Sequence, residues 1–189
     1  MKRFFAALCA LLAGPAAAQD FSEGSNARSW NLYGEIPAFF EARVVDPLCE
    51  LAGDCPENCG DGRRQLTLIR TVDDVMILPM KNSQPAFTGA VQELLPFCNQ
   101  VVEVDGLLIE DEYLNAKNIY LVQTIRPAGT EEWTKANSWT KKWAEAHPQA
   151  EGKGPWFRRD PRVLAEIERE GYFGLGLEQD QVIIEELFQ

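Results

Sequence analysis

The chain has 189 residues, with 29 Asp and Glu against 18 Lys and Arg, a single histidine and a formal charge of −11. An apolar fraction of 46% supplies a packed core, and the length suits one domain plus an extension. Acidity on this scale repels phosphate backbones and argues against nucleic acid as a partner.

Residues 1–18, MKRFFAALCALLAGPAAA, read as a cleavable signal peptide. Lys2 and Arg3 form a basic start, Phe4 to Leu12 an apolar core, and Ala16, Ala17 and Ala18 a small-residue cleavage site before Gln19. The apolar run is shorter than the roughly 20 residues that span a bilayer. Cys9 sits too early for a lipoprotein cysteine, follows the bulky Leu8, and is expected to leave with the signal. Cleavage after Ala18 leaves 171 residues at a formal −13. The mature protein is expected in the periplasm, with no transmembrane span. Its charge is uneven: residues 19–132 carry −11, residues 133–162 carry +4 and residues 163–189 carry −6. Residues 19–37 are a lead-in to a domain at 38–129, and residues 130–189 form a Trp- and Arg-rich extension expected to pack on it.

The first strand is expected at FFEARVVDP, Phe39 to Pro47, and it runs into a loop holding Cys49, Cys55 and Cys59. With Cys98 these make four cysteines in an exported chain, which read first as two disulfides. One arrangement joins Cys55 to Cys59 across a helical turn and leaves Cys49 for Cys98. Another pairs Cys49 within the loop and ties the remaining loop cysteine to Cys98. Zinc favours Cys-x-x-Cys pairs, and a thioredoxin-like centre requires one. The spacings here are five and three intervening residues, and the lone His147 is far along the chain. No metal or cofactor is expected.

RQLTLIRT alternates Leu66 and Leu68 against Gln65 and Thr67, a period-2 strand. VMILPM is a third strand, with Pro79 marking an edge or bulge. In PAFTGAVQELLPF the apolar residues Phe87, Val91, Leu94 and Leu95 recur at helical spacing, ended by Pro96. QVVEVDGLLIE sets Val102, Val104 and Leu108 against Glu103 and Asp105, with Gly106 predicting a bulge or sharp bend. NIYLVQTIR places Ile119, Leu121 and Ile125 on one face.

Three strands, a helix and two strands is the order of a five-stranded oligonucleotide/oligosaccharide-binding (OB) barrel. ARVVDPLC, VVEVDGLLIE and IYLVQTIR resemble the first, fourth and closing strands of the small OB-fold domains of bacterial exported proteins. The resemblance implies a mainly β, α+β class, over about half the chain. It does not transfer a ligand. The second and third strands hold no aromatic residue for stacking bases or sugars.

The extension holds Trp133, Trp139, Trp143 and Trp156. Residues 131–146 have helix-forming composition, with Trp139 and Trp143 one turn apart and Lys135 and Lys142 on another side. Such a face either packs on the barrel or docks a partner, and a membrane-surface role is a third use. Trp139, Trp143, Trp156, Arg158 and Arg159 are therefore the candidate partner contacts. Asp160 is expected to cap a helix beginning at Pro161, with Val163, Leu164 and Ile167 on its apolar side. GYFGLGLEQD reads as a glycine-rich turn, and QVIIEELFQ as a last strand or helix.

Catalytic patterns are sparse. His147 beside Pro148 reads as a helix C-cap or an exposed group, and no nucleophile elbow or phosphate loop occurs. The spatial pairing of the many carboxylates is not visible in sequence. The expectation is a non-catalytic exported binding or accessory module with a protein partner or a small-molecule ligand. The alternative is a thiol-redox or metal-handling protein using the cysteine cluster.

Overall fold

The computed structural model of the protein describes residues 19–31, 34–80, 90–113, 115–154 and 156–187. The signal-peptide reading of residues 1–18 and the Phe87 end of the expected helix lie outside the described residues.

Five strands close into a barrel: β1 (Glu35–Val45), β2 (Thr67–Arg70), β3 (Met76–Met80), β4 (Val101–Asp111) and β5 (Ala116–Pro127). β1 pairs antiparallel with both β2 and β4, β2 with β3, and β4 with β5. Closure comes from a parallel pairing of β3 with β5, Leu78 opposite Ile119 and Met80 opposite Leu121. This is the OB-like order, with α1 (Pro47–Ala52) after β1 and α2 (Ala90–Leu94) between β3 and β4. A 3₁₀ turn at Leu95–Phe97, with Pro96 inside it, ends α2.

Alternation builds the core. Ala38, Phe40, Ala42 and Val44 of β1 point inward with Leu68, Ile77, Val102, Val104 and Tyr120, and Leu94 plugs the barrel from α2. Thr67, placed by alternation on the outer face, is also fully buried, and its hydroxyl donates to the Ile77 carbonyl at 2.7 Å. A buried hydroxyl needs such a partner. The Tyr120 hydroxyl donates to the Ala38 carbonyl at 2.7 Å. Burial, followed by the negative charge of Asp105, pushes its phenol well above the usual tyrosine range.

β4 and β5 lose register between Asp105 and Gly106, where Asp105 faces Thr124 and Gly106 faces Val122. Gly106 therefore sits at the expected bend. A Cβ there would lie 2.3 Å from the Leu121 carbonyl oxygen, so only glycine lets the strands approach. The extra residue is Gln123 on β5, a bulge that turns the strand over. Tyr120 and Val122 face the core before it and Ile125 after it, while Ile119 and Leu121 pack outside with Leu107, Ile109 and Trp30. The expected single face of Ile119, Leu121 and Ile125 is thus split by the bulge.

The lead-in straps the barrel. Phe21 accepts the Phe39 amide at 2.8 Å, packs edge-on against Phe40 and lies under the Arg70 guanidinium. Asp105 accepts the Ser25 hydroxyl at 2.6 Å and the Asn26 amide at 2.8 Å. Gln123, half-buried at its bulge, grips both the amide and the carbonyl of Arg28.

Candidate functional site

The extension does not begin with the helix expected at 131–146. Thr134–Lys135 form β6, which pairs with Thr124 and Ile125 on the free half of β5, and α3 runs only from Trp139 to Ala146. The physical reason is the unsatisfied edge of β5, which offers backbone partners that helix propensity does not match. The Ala136 amide donates to the bulged Gln123 carbonyl at 2.9 Å. Trp133 is held outside the helix, its ring 4.3 Å from the Arg126 guanidinium and edge-on to Phe39. Lys135 therefore does not share a helical side with Lys142.

α3 is anchored to the barrel side by Glu93 of α2. Its Oε1 accepts the Ser138 amide at 2.8 Å and the Ser138 hydroxyl at 2.9 Å, with Lys142 Nζ 3.7 Å away. A carboxylate from another element thus caps this helix start, where negative charge is favoured. Trp143 is 1% exposed, stacked on His147 at 4.4 Å and near the Arg159 guanidinium at 5.3 Å. Trp156 bridges Trp139 and Trp143, with ring centroids 6.3 and 6.2 Å away. His147 ends α3 as its C-cap, as expected. Of the candidate contacts, Trp143 is buried inside the extension, Trp139, Trp156 and Arg159 are half-buried in the same cluster, and Arg158 is exposed.

Asp160 caps α4 (Pro161–Glu170) as the sequence predicts, accepting the Arg162 amide at 2.9 Å. The Arg162 guanidinium beside it holds its carboxyl down at about 2, with the capped amide adding to the effect. Trp143 contributes least in the same direction, its Nε1 standing outside hydrogen-bonding geometry. The glycine-rich turn then leads into α5 (Leu177–Leu187), a helix. Asp180 folds the turn back: its carboxylate accepts the Tyr172 amide at 2.8 Å and the Phe173 amide at 2.6 Å. Gly171 has a φ of 82°, and a Cβ there would lie 2.5 Å from the Asp180 carboxyl carbon.

These pieces enclose a cleft of about 620 Å³, within the range of ligand pockets. Trp156 and Phe157 line it with Val163 and Ile167 of α4, and with Tyr172 and Phe173 of the turn. α4 has no buried residue, and Asp180 is the only buried residue of α5. Leu164, Tyr172, Leu175, Leu177 and Leu187 are 46–64% exposed. Scattered exposed apolar residues are ordinary, but here they gather on α4, the turn and α5 as an exposed apolar surface. Sequence reading missed Tyr172, Phe173, Leu175 and Leu177 because glycines dominate that stretch. The available signal was four large apolar residues, three of them (Phe173, Leu175 and Leu177) alternating with glycines, running from the end of α4 to the start of α5.

The cysteine loop is a separate feature. Cys49 bonds Cys55 and Cys59 bonds Cys98, the second of the two expected arrangements. Asp46 caps α1 through the Leu48 amide and also meets Arg64 at 3.1 Å, and Arg64 reaches Asp54 at 2.8 Å. The loop is thus pinned at both ends. Among the described residues no group of three or more His, Cys, Asp and Glu is placed to hold a metal ion, and no helix is long and apolar enough to cross a membrane. Compared with protein-family models, curated proteins and solved structures, the chain matches none.

Proposed function

We propose that the protein is an exported, non-catalytic binding or accessory module that works by contact with a partner protein in the periplasm. The observation that carries this reading is the apolar surface of α4, the glycine-rich turn and α5, which the described residues leave uncovered. Two disulfides favour an oxidising compartment. The ordered strap takes hold at Phe21, just beyond the proposed cleavage point at Ala18.

The test is capture of periplasmic proteins by the mature chain, compared with a Leu175→Ser, Leu177→Ser variant. Neither residue is buried, so the variant is expected to melt at the wild-type temperature and to lose its captured proteins. The same proteins on both chains would refute the reading. A small apolar ligand in the cleft is the second reading, favoured by its volume of about 620 Å³. Under that reading an apolar dye binds stoichiometrically and the captured set is empty.

A further inference from the structure

The surface that the proposed function rests on has a charge as well as a shape. Residues 161–187, which make up α4, the turn and α5, carry seven carboxylates against Arg162 and Arg169, and Arg162 lines the cleft. Both are already engaged, Arg162 with Asp160 at 2.8 Å and Arg169 with Glu166 at 2.5 Å and also with Glu170. Asp180 is committed to the two amides of the turn. Glu168, Glu178, Glu185 and Glu186 have no ion-pair partner among the described residues, and they lie on the same two helices as the exposed leucines.

Two occupants are disfavoured by this arrangement. A second copy of the same face brings −5 against −5, a repulsion that apolar contact would have to overcome. An acidic membrane surface is repelled in the same way. The complementary occupant has cations flanking an apolar stripe.

We propose that the α4–α5 surface receives a basic amphipathic segment of a partner protein. Its apolar side chains enter the cleft between Trp156 and Phe157 on one side and Tyr172 and Phe173 on the other. Its Lys and Arg side chains meet the unpaired carboxylates of the two helices. This is the recognition of an amphipathic segment by a groove, in which apolar anchors hold and rim charges select. The inference rests on the partner-docking reading above and names the partner's chemistry.

The test uses the purified mature chain and two synthetic amphipathic peptides of equal length and identical leucine pattern, one with lysines and one with glutamates. Titration is followed by calorimetry at low and at physiological salt. The lysine peptide is expected to bind about tenfold or more tightly, and to weaken as salt rises. Non-specific attraction to an acidic protein is separated by Ile167→Glu. That change adds a negative charge to the cleft wall, on a helix with no buried residue. Simple charge attraction would hold or increase with it. Anchored binding is expected to fall about tenfold, as for loss of a central apolar contact.

Equal affinity for the two peptides, or unchanged lysine-peptide affinity in Ile167→Glu, overturns the proposal. A concentration-dependent dimer that Leu175→Ser abolishes also overturns it, in favour of a second copy. If both peptides bind equally and both weaken in Ile167→Glu, the basic chemistry is wrong while partner docking stands. If neither peptide binds and the chain captures no partner, both fall.

Discussion

Replacing cysteines in pairs tests the core of the disulfide framework. Cys59 and Cys98 close a sequence separation of 39, whereas Cys49 and Cys55 close one of 6. In the chain-entropy account these closures stabilise by about 4 and about 2 kcal/mol respectively. Cys59 is also 3% exposed and packs with the core, so truncation to Ala there adds about 1 kcal/mol of lost contact. The double variant Cys59→Ala, Cys98→Ala is therefore expected to lose about 5 kcal/mol, and Cys49→Ala, Cys55→Ala about 2 kcal/mol. A domain stable by about 5–15 kcal/mol is marginal after the first change and intact after the second. Urea unfolding of the oxidised proteins, followed by tryptophan fluorescence, gives both values by linear extrapolation. Either alternative pairing of the four cysteines makes each of these double replacements break both bridges. Equal losses from the two variants, or the reverse order, would therefore refute the connectivity and the reasoning from loop length.

Two further outcomes are expected. Gly106→Ala sets a Cβ 2.3 Å from a backbone oxygen, so β4 must move from β5. The expected loss is about 3 kcal/mol, read as a fall in Tm of roughly 6–12 °C for a domain of this size. An unchanged Tm would show that the strands part there at little cost. Asp160 has its carboxyl pKa lowered from 3.8 to about 2, so its contribution is full above about pH 4 and is lost as pH falls through about 2. Full linkage would be worth about 2.4 kcal/mol, but the Arg162 side chain is 84% exposed, and screening reduces this to about 1 kcal/mol. The stability gap between wild type and Asp160→Asn is expected to narrow between pH 4 and pH 2 in thermal melts. A gap that holds constant across that window would remove the ion pair as its source.

The barrel was legible because the inward face of its strands is apolar, so alternation survives in the residue types where the other face is polar. Ala38, Phe40, Ala42 and Val44 carry it through β1, and Gly106 announces the bend. Gln123 announces nothing, since a bulge is set by pairing between strands and leaves no composition signal. Helix propensity misled the reading of residues 131–138, where the open half of β5 supplied better backbone partners than a helix turn. Cysteine spacing left the pairing open because several loop shapes bring different pairs within reach. The helix start at Pro161 was readable from Asp160 because capping is local. The apolar surface at 172–177 was hidden because Phe173, Leu175 and Leu177 alternate with glycines that mark a turn; Asp180, from the following helix, holds that turn in place.

Among the described residues the two disulfides join the first cysteine to the second and the third to the fourth. A chain delivered from its N-terminus forwards, by synthesis or by translocation, meets Cys55 as the next thiol after Cys49, and Cys98 as the next after Cys59. An oxidant that simply joins thiols in order of arrival yields the native pattern. Slow reshuffling of wrong bonds, which takes seconds to hours, is not needed. The loop can be sealed while β4 and β5 are still unmade. The second bond waits only for Cys98, which arrives just before β4 begins at Val101.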